Sequence, residues 1–328
     1  MANSRILLLS VCLLLILACR QPAEHRSGYI SIAGSKIYYE TTGKGQPLLL
    51  LHGGFLNLHM WDQQVADLSK NFQVIACDLR GHGATIDDTT NYLMADGIKA
   101  LLDTLHIKQS AIAGLSLGGA TALEFAIAYP DYVNKLILLG PGLNKWTERP
   151  AADSMLTKYD FLIWDALGVK KDTALAAEYF IRCWFDGPHR QPNQTDTAQR
   201  ARALQMAIKT AREHQLKYWP IFPDTPTFSR VHELQIPVRV IVGTLDNAII
   251  HMIADSLKTR MKDIEVRKVE GTAHMPNMEK PAIVNGLIRS FLHPSAAMTV
   301  PPANQPQPSP LTPAPKPDGK PDIPVVKP

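Results

Sequence analysis

From residue 29 to residue 42 apolar and polar positions alternate, with Gly34-Ser35 breaking the alternation midway. That period of two around a turn predicts a β-hairpin with strands at 29–33 and 36–42. Beyond it the pattern changes. Continuous apolar runs at 47–51, 72–77, 110–113, 135–139, 237–242 and 264–269 take turns with stretches of helical period at 61–69, 92–105, 117–128, 248–261 and 282–291. Leucine and β-branched runs without alternation predict strands buried on both faces. The expected fold class is therefore α/β, with a mostly parallel central sheet and helices on both faces. Between about 143 and 228 the alternation stops, and this stretch reads as a helical lid inserted over the sheet. It holds Trp146, Trp164, Trp184 and Trp219, together with Tyr159, Phe161 and Phe185. Aromatics at helical spacing usually pack in a core, so only two or three of these are expected to line a pocket. No internal repeat is visible.

The two ends stand apart from this body. Arg5 precedes an apolar run from Ile6 to Leu17, which is shorter than the roughly 20 residues of a membrane span. The run ends in Ile16-Leu17-Ala18-Cys19, which resembles the lipobox of bacterial lipoproteins. The resemblance implies a signal peptide at 1–18, acylation of Cys19 and a body held in the cell envelope, facing the periplasm or the cell surface. An ordinary secretory signal cut near Ala18 or Ala23 is the alternative. A linker is expected at 19–27 and the globular body at 28–293. From 294 to 328, 12 of 35 residues are proline, so this tail is expected as extended chain outside any core.

Composition narrows the function classes. With 45% hydrophobic residues the chain can fill a large core, which excludes a wholly disordered protein. The formal net charge of +4 is spread over both ends and the body, leaving no basic footprint for nucleic acid. If Cys12 leaves with the signal and Cys19 carries lipid, Cys77 and Cys183 remain, enough for at most one disulfide. Cys77 lies inside an apolar strand run, where a buried free thiol is expected. No Cys/His spacing suggests a metal site, and no cofactor is implied.

The candidate chemistry begins at Gly114-Leu115-Ser116-Leu117-Gly118, between a predicted strand and a predicted helix. In that context G-x-S-x-G reads as a nucleophile elbow: the serine sits in a tight turn, and a Cβ at either glycine would strike neighbouring backbone. A serine hydroxyl needs a base. Of the eleven histidines, His274 is placed for that role, after the last strand in Gly271-Thr272-Ala273-His274. Asp246, just past the strand at 237–242, is placed to orient it, and the chain order Ser116, Asp246, His274 suits such a fold. For the oxyanion, the amide of Leu117 is one expected donor. The amide of Phe55, in His52-Gly53-Gly54-Phe55, is the other. His52 and His82 are weaker candidates for the base because both sit in glycine-flanked loops. Asp78 reads as a turn anchor.

Together these motifs, with Asp78-Leu79-Arg80-Gly81-His82-Gly83 and His274-Met275-Pro276-Asn277-Met278-Glu279-Lys280-Pro281, make residues 28–293 resemble the α/β-hydrolase superfamily. The likeness is to its cofactor-independent members: 3-oxoadipate enol-lactonases, haloperoxidase-like perhydrolases, small esterases and proline iminopeptidases. One departure is Ala84, where the turn usually carries serine. Ser116 excludes the members that use an aspartate nucleophile. The resemblance implies a serine hydrolase acting on a small-molecule ester or similar acyl bond. Lactonase, perhydrolase or iminopeptidase activity, or a silent binding module on the same fold, are the alternatives.

Overall fold

The computed structural model describes residues 24–148, 154–214 and 220–293. The signal at 1–18, Cys19, Trp219 and the proline-rich tail at 294–328 lie outside them. The hairpin is present as β1 (His25–Ile32) and β2 (Ser35–Thr42), joined through Ala33 and Gly34, both at positive φ. β1 begins earlier than the alternation suggests. Backbone pairing of His25, Arg26 and Ser27 with Thr42, Thr41 and Glu40 extends it, and an exposed edge strand needs no apolar residues for that. The strand therefore takes up the end of the expected linker.

The runs that follow become β3 (Gln46–Leu51), β4 (Phe72–Cys77), β5 (Ser110–Leu115), β6 (Val133–Leu139), β7 (Val238–Gly243) and β8 (Ile264–Val269). They form one eight-stranded sheet in the order β1-β2-β4-β3-β5-β6-β7-β8. β2 runs antiparallel to β1 and to β4, and every pairing from β4 to β8 is parallel. The pleat explains the continuous apolar runs. Leu49 and Leu51 join one buried cluster with Ile75, Ile112, Leu136 and Val240, whereas Leu48 and Leu50 join a second with Val74, Ala113, Ile137 and Ile241. Each such leucine contributes roughly 1.5–3 kcal/mol by burial. β8 departs from this rule: it is the edge strand, with Arg267 and Lys268 exposed, so its outer positions need no apolar side chain.

Helices α1 (Asp62–Leu68), α2 (Met94–Thr104) and α3 (Leu117–Ala128) follow β3, β4 and β5. Residues of α2 and α3 pack on the first apolar face, and Leu68 of α1 on the second. Between β6 and β7 lies the helical insertion: α4 (Ser154–Gly168), α5 (Thr173–Ile181), a π-helical turn at Arg182–Asp186, α6 (Thr197–His214) and the short α7 (Thr227–Arg230). After β7 come α8 (Ala248–Arg260), α9 (Pro276–Glu279) and α10 (Pro281–Leu292). The insertion sits on the loops at the C-terminal edge of the parallel strands. Phe180 stacks on Phe55 at 4.7 Å, His214 lies 3.1 Å from the Gly83 carbonyl, and Arg190 donates to the Gly271 carbonyl.

Candidate active site

Ser116 lies between the end of β5 and the start of α3, with φ 53° and ψ −109°. A non-glycine residue in that region is strained, and here the surroundings fix it. Its amide donates to the Leu139 carbonyl at 3.0 Å, and its carbonyl accepts from Ala120 and Gly142. The flanking glycines are obligatory. A Cβ on Gly114 would lie 2.3 Å from the Gly118 carbonyl oxygen, and one on Gly118 would lie 2.2 Å from that of Leu51. Backbone meets backbone at both places, so neither neighbour can yield.

Asp246 and His274 follow β7 and β8 and are 2% and 1% exposed. His274 Nδ1 lies 2.9 Å from Asp246 Oδ2 and 3.2 Å from Oδ1; Oδ1 also accepts from the Asn247 amide. The carboxylate can only accept, so it fixes the proton on Nδ1 and leaves Nε2 with its lone pair. That Nε2 is buried and has no hydrogen-bond partner. No hydrogen bond joins Ser116 to His274 Nε2, but the two share neighbours. The carbonyl of Leu139 holds Ser116, and a Cβ on the next residue, Gly140, would touch the imidazole at 2.9 Å. Trp184 packs against the His274 ring at 4.4 Å and lines a cavity with Ser116.

That cavity holds about 230 Å³ and is walled by Leu143, Trp146, Leu156, Ile249, Ile250 and Ile253, with Asp160 as its acidic lining residue. Of the aromatics singled out in the insertion, Trp146 and Trp184 line it. Phe161 and Trp164 point to solvent, and Phe185 is wholly buried. The indole Nε1 of Trp146 is buried without a partner. A larger cavity of about 330 Å³ lies at the opposite edge of the sheet, far from these groups by topology.

The other candidates have structural employment. His52 Nε2 accepts from the Leu79 amide while Nδ1 donates to the Gly53 carbonyl. Asp78 accepts from the amides of Leu58 and Ala84, which makes it the turn anchor. His82 Nδ1 donates to the Arg80 carbonyl, and its Nε2 accepts from the Phe55 amide at 3.1 Å. This last bond turns the Phe55 N–H away from the role expected of it. Phe55 also has φ 60°, an unusual value for an aromatic residue. The amide of Gly54 donates to no described residue, and the space its Cβ would occupy is open.

Burial disfavours the charged form of both imidazoles, taking His52 well below its ordinary pKa and His82 down to about 4. The unfolded chain therefore binds a proton at His82 below about pH 6.5 that the folded chain refuses, and stability falls as the pH drops. From His82 alone the expected loss between pH 7 and pH 4 is on the order of 3 kcal/mol. Urea titrations at both pH values check it, and equal midpoints would sink the assignment of a buried neutral imidazole.

Sequence reasoning missed the clamp that holds this region together. Arg190 donates to the carbonyls of Phe185 and Asp186 in the π-turn and of Gly271, and pairs with Glu279. Glu279 in turn accepts from the Ala273 amide at 2.9 Å, directly before His274. Arg200 grips the fully buried Asp186 with two bonds, at 2.8 and 3.0 Å. Asn247 donates to the Cys183 carbonyl and so ties the Asp246 loop to the same turn. Cys77 and Cys183 are buried and not joined in a disulfide.

Residues 46–281 match the model of the alpha/beta hydrolase fold family. The chain is 27% identical over 271 residues to AB hydrolase superfamily protein YisY of Bacillus subtilis, covering 78% of this chain and 94% of that protein. It is 26% identical over 287 residues to Carboxylesterase YbfK of the same organism, covering 83% and 89%. The crystal structure of carboxylesterase CesB (YbfK) from Bacillus subtilis superposes with a TM-score of 0.67 at 23% identity, over 83% of this chain and 93% of that one. That likeness is one of fold.

Proposed function

The chain belongs to the α/β-hydrolase fold family, and from that premise we propose that it is a serine hydrolase cleaving a carboxylic ester or similar acyl bond. Ser116 Oγ attacks the acyl carbonyl and His274 Nε2 takes its proton, then delivers it to the leaving alcohol. Asp246 keeps the imidazole in the required tautomer, and water releases the acyl group by the reverse path. The reading is carried by one observation: His274 has Nδ1 held by a buried carboxylate and Nε2 unpartnered, against the tryptophan that walls the Ser116 cavity.

For the oxyanion, the amide of Leu117 at the first turn of α3 is one donor, with the positive end of the helix behind it. The Phe55 amide is engaged by His82, so we assign the second donor to Gly54, one residue earlier in the same loop. The apolar cavity suits a compact acyl or alcohol part. The carboxylesterase relative supports the ester class. The Ile16–Cys19 motif supports a lipid anchor on Cys19 and an envelope location, with the body on the periplasmic or outer face.

A fluorophosphonate probe tests the proposal. It should modify Ser116, located by mass spectrometry, and the adduct should vanish in His274→Ala. A folded chain that neither takes the probe nor releases p-nitrophenol from p-nitrophenyl acetate would be a binding module on a hydrolase fold.

A further inference from the structure

Exposed basic residues gather at the strand-entry edge of the sheet. β1 runs in the direction of the parallel strands, so its start, with Glu24 and Arg26, lies at their N-terminal edge. The cavity of about 330 Å³ lined by Glu24, Arg26, Lys44, Gly45, Gln73 and Leu105 confirms that these loops converge. Arg26 and the loops entering the parallel strands expose five cations, Arg26, Lys44, Lys70, Lys108 and Lys262, against Glu24, Asp131, Glu233 and Asp263. Lys44 pairs with Glu24 and Lys70 with Asp67, whereas Lys108 and Lys262 form no ion pair among the described residues. The loops of the C-terminal edge expose Asp88, Glu148 and Glu270 against Lys145 and Lys36, while Asp78 and Asp246 there are buried. Ser116, Asp246, His274 and their cavity all lie at this edge.

The tether ends at the basic edge. Cys19 stands six residues before His25, where β1 starts, and six residues span at most about 20 Å. We propose that the strand-entry edge, through Lys44, Lys70, Lys108 and Lys262, rests on an anionic phospholipid bilayer, so that the cavity opens away from it. This rests on the reading of Cys19 as the lipid-bearing residue. Attraction between these cations and the anionic headgroups acts over roughly a Debye length, about 8–10 Å at physiological salt. Substrates then reach Ser116 from the aqueous side and not from the membrane to which the chain is fixed.

The test uses the full acylated chain in vesicles of phosphatidylethanolamine and phosphatidylglycerol carrying a nitroxide on the headgroup. A thiol-reactive fluorophore is placed at Lys108→Cys or at Glu270→Cys, one for each edge. The probe at 108 should be quenched several-fold more strongly than the one at 270. That difference should fade at high salt and in phosphatidylcholine vesicles. Lys44→Glu or Lys262→Glu in the 108-labelled chain should each weaken the bias by about fivefold or more. Equal quenching at both positions in a chain that floats with the vesicles overturns the orientation alone. Stronger quenching at 270 places the cavity on the bilayer and overturns it outright. A chain that does not float with the vesicles overturns the anchor, and the orientation with it.

Discussion

Ser116→Ala is expected to lower kcat by about four to six orders of magnitude with little change in thermal stability. The hydroxyl has one task in the proposed mechanism, and nothing else at that position substitutes for it. The backbone holds the residue at φ 53° through three main-chain hydrogen bonds, none of which needs the hydroxyl. Alanine therefore inherits the turn, its strain and the amide of Leu117. A melting temperature close to the parent's, with ester hydrolysis near background, is the result that supports the role. A loss under tenfold would remove Ser116 from the chemistry and leave the fold as a scaffold for something else.

Asp246→Asn is expected to reduce kcat by about 10⁴-fold. The carboxylate accepts from both His274 Nδ1 and the Asn247 amide. An asparagine has one acceptor oxygen and one NH₂ donor. If its oxygen keeps the Asn247 amide, its NH₂ faces Nδ1, which must become the acceptor. The proton then moves to Nε2, and the imidazole can no longer take one from Ser116. The size and packing of the side chain are conserved, so the fold survives. Because the groups act as a unit, Ser116→Ala combined with Asp246→Asn should be no slower than Ser116→Ala alone. Additive losses in that double variant would show that Asp246 acts through stability and not through His274.

Much of this architecture is written in local pattern. β4, β8 and α3 have the ends that the pattern predicts, because Asn71 and Asp78, or Asp263 and Gly271, mark turns where an apolar run stops. Ser116, Asp246 and His274 each sit one to a few residues beyond a strand end, where a parallel sheet delivers side chains to one edge. What pattern does not carry is direction and distance. Phe55 meets His82 through its amide and has a positive φ, and no aromatic residue advertises either. The helical period predicts one helix from 61, whereas a 3₁₀ turn at Leu58–Trp61 comes first, set by Asn57 and by Asp78 from another loop. Arg190 and Glu279 are 89 residues apart, and neither has a local signature that pairs it with the other.

The position of the insertion also sets the order in which this molecule can acquire chemistry. β5, α3 and β6 are neighbours in sequence, so the serine turn is complete once about 140 residues are available. Asp246 and His274 arrive only with β7 and β8, after roughly a hundred further residues have emerged and closed their loop. By connectivity alone, the serine turn can close before the residues proposed as its base and acid have been reached. On the proposed mechanism, a chain that stops before β8 lacks His274 and is inert, however well its serine turn is formed.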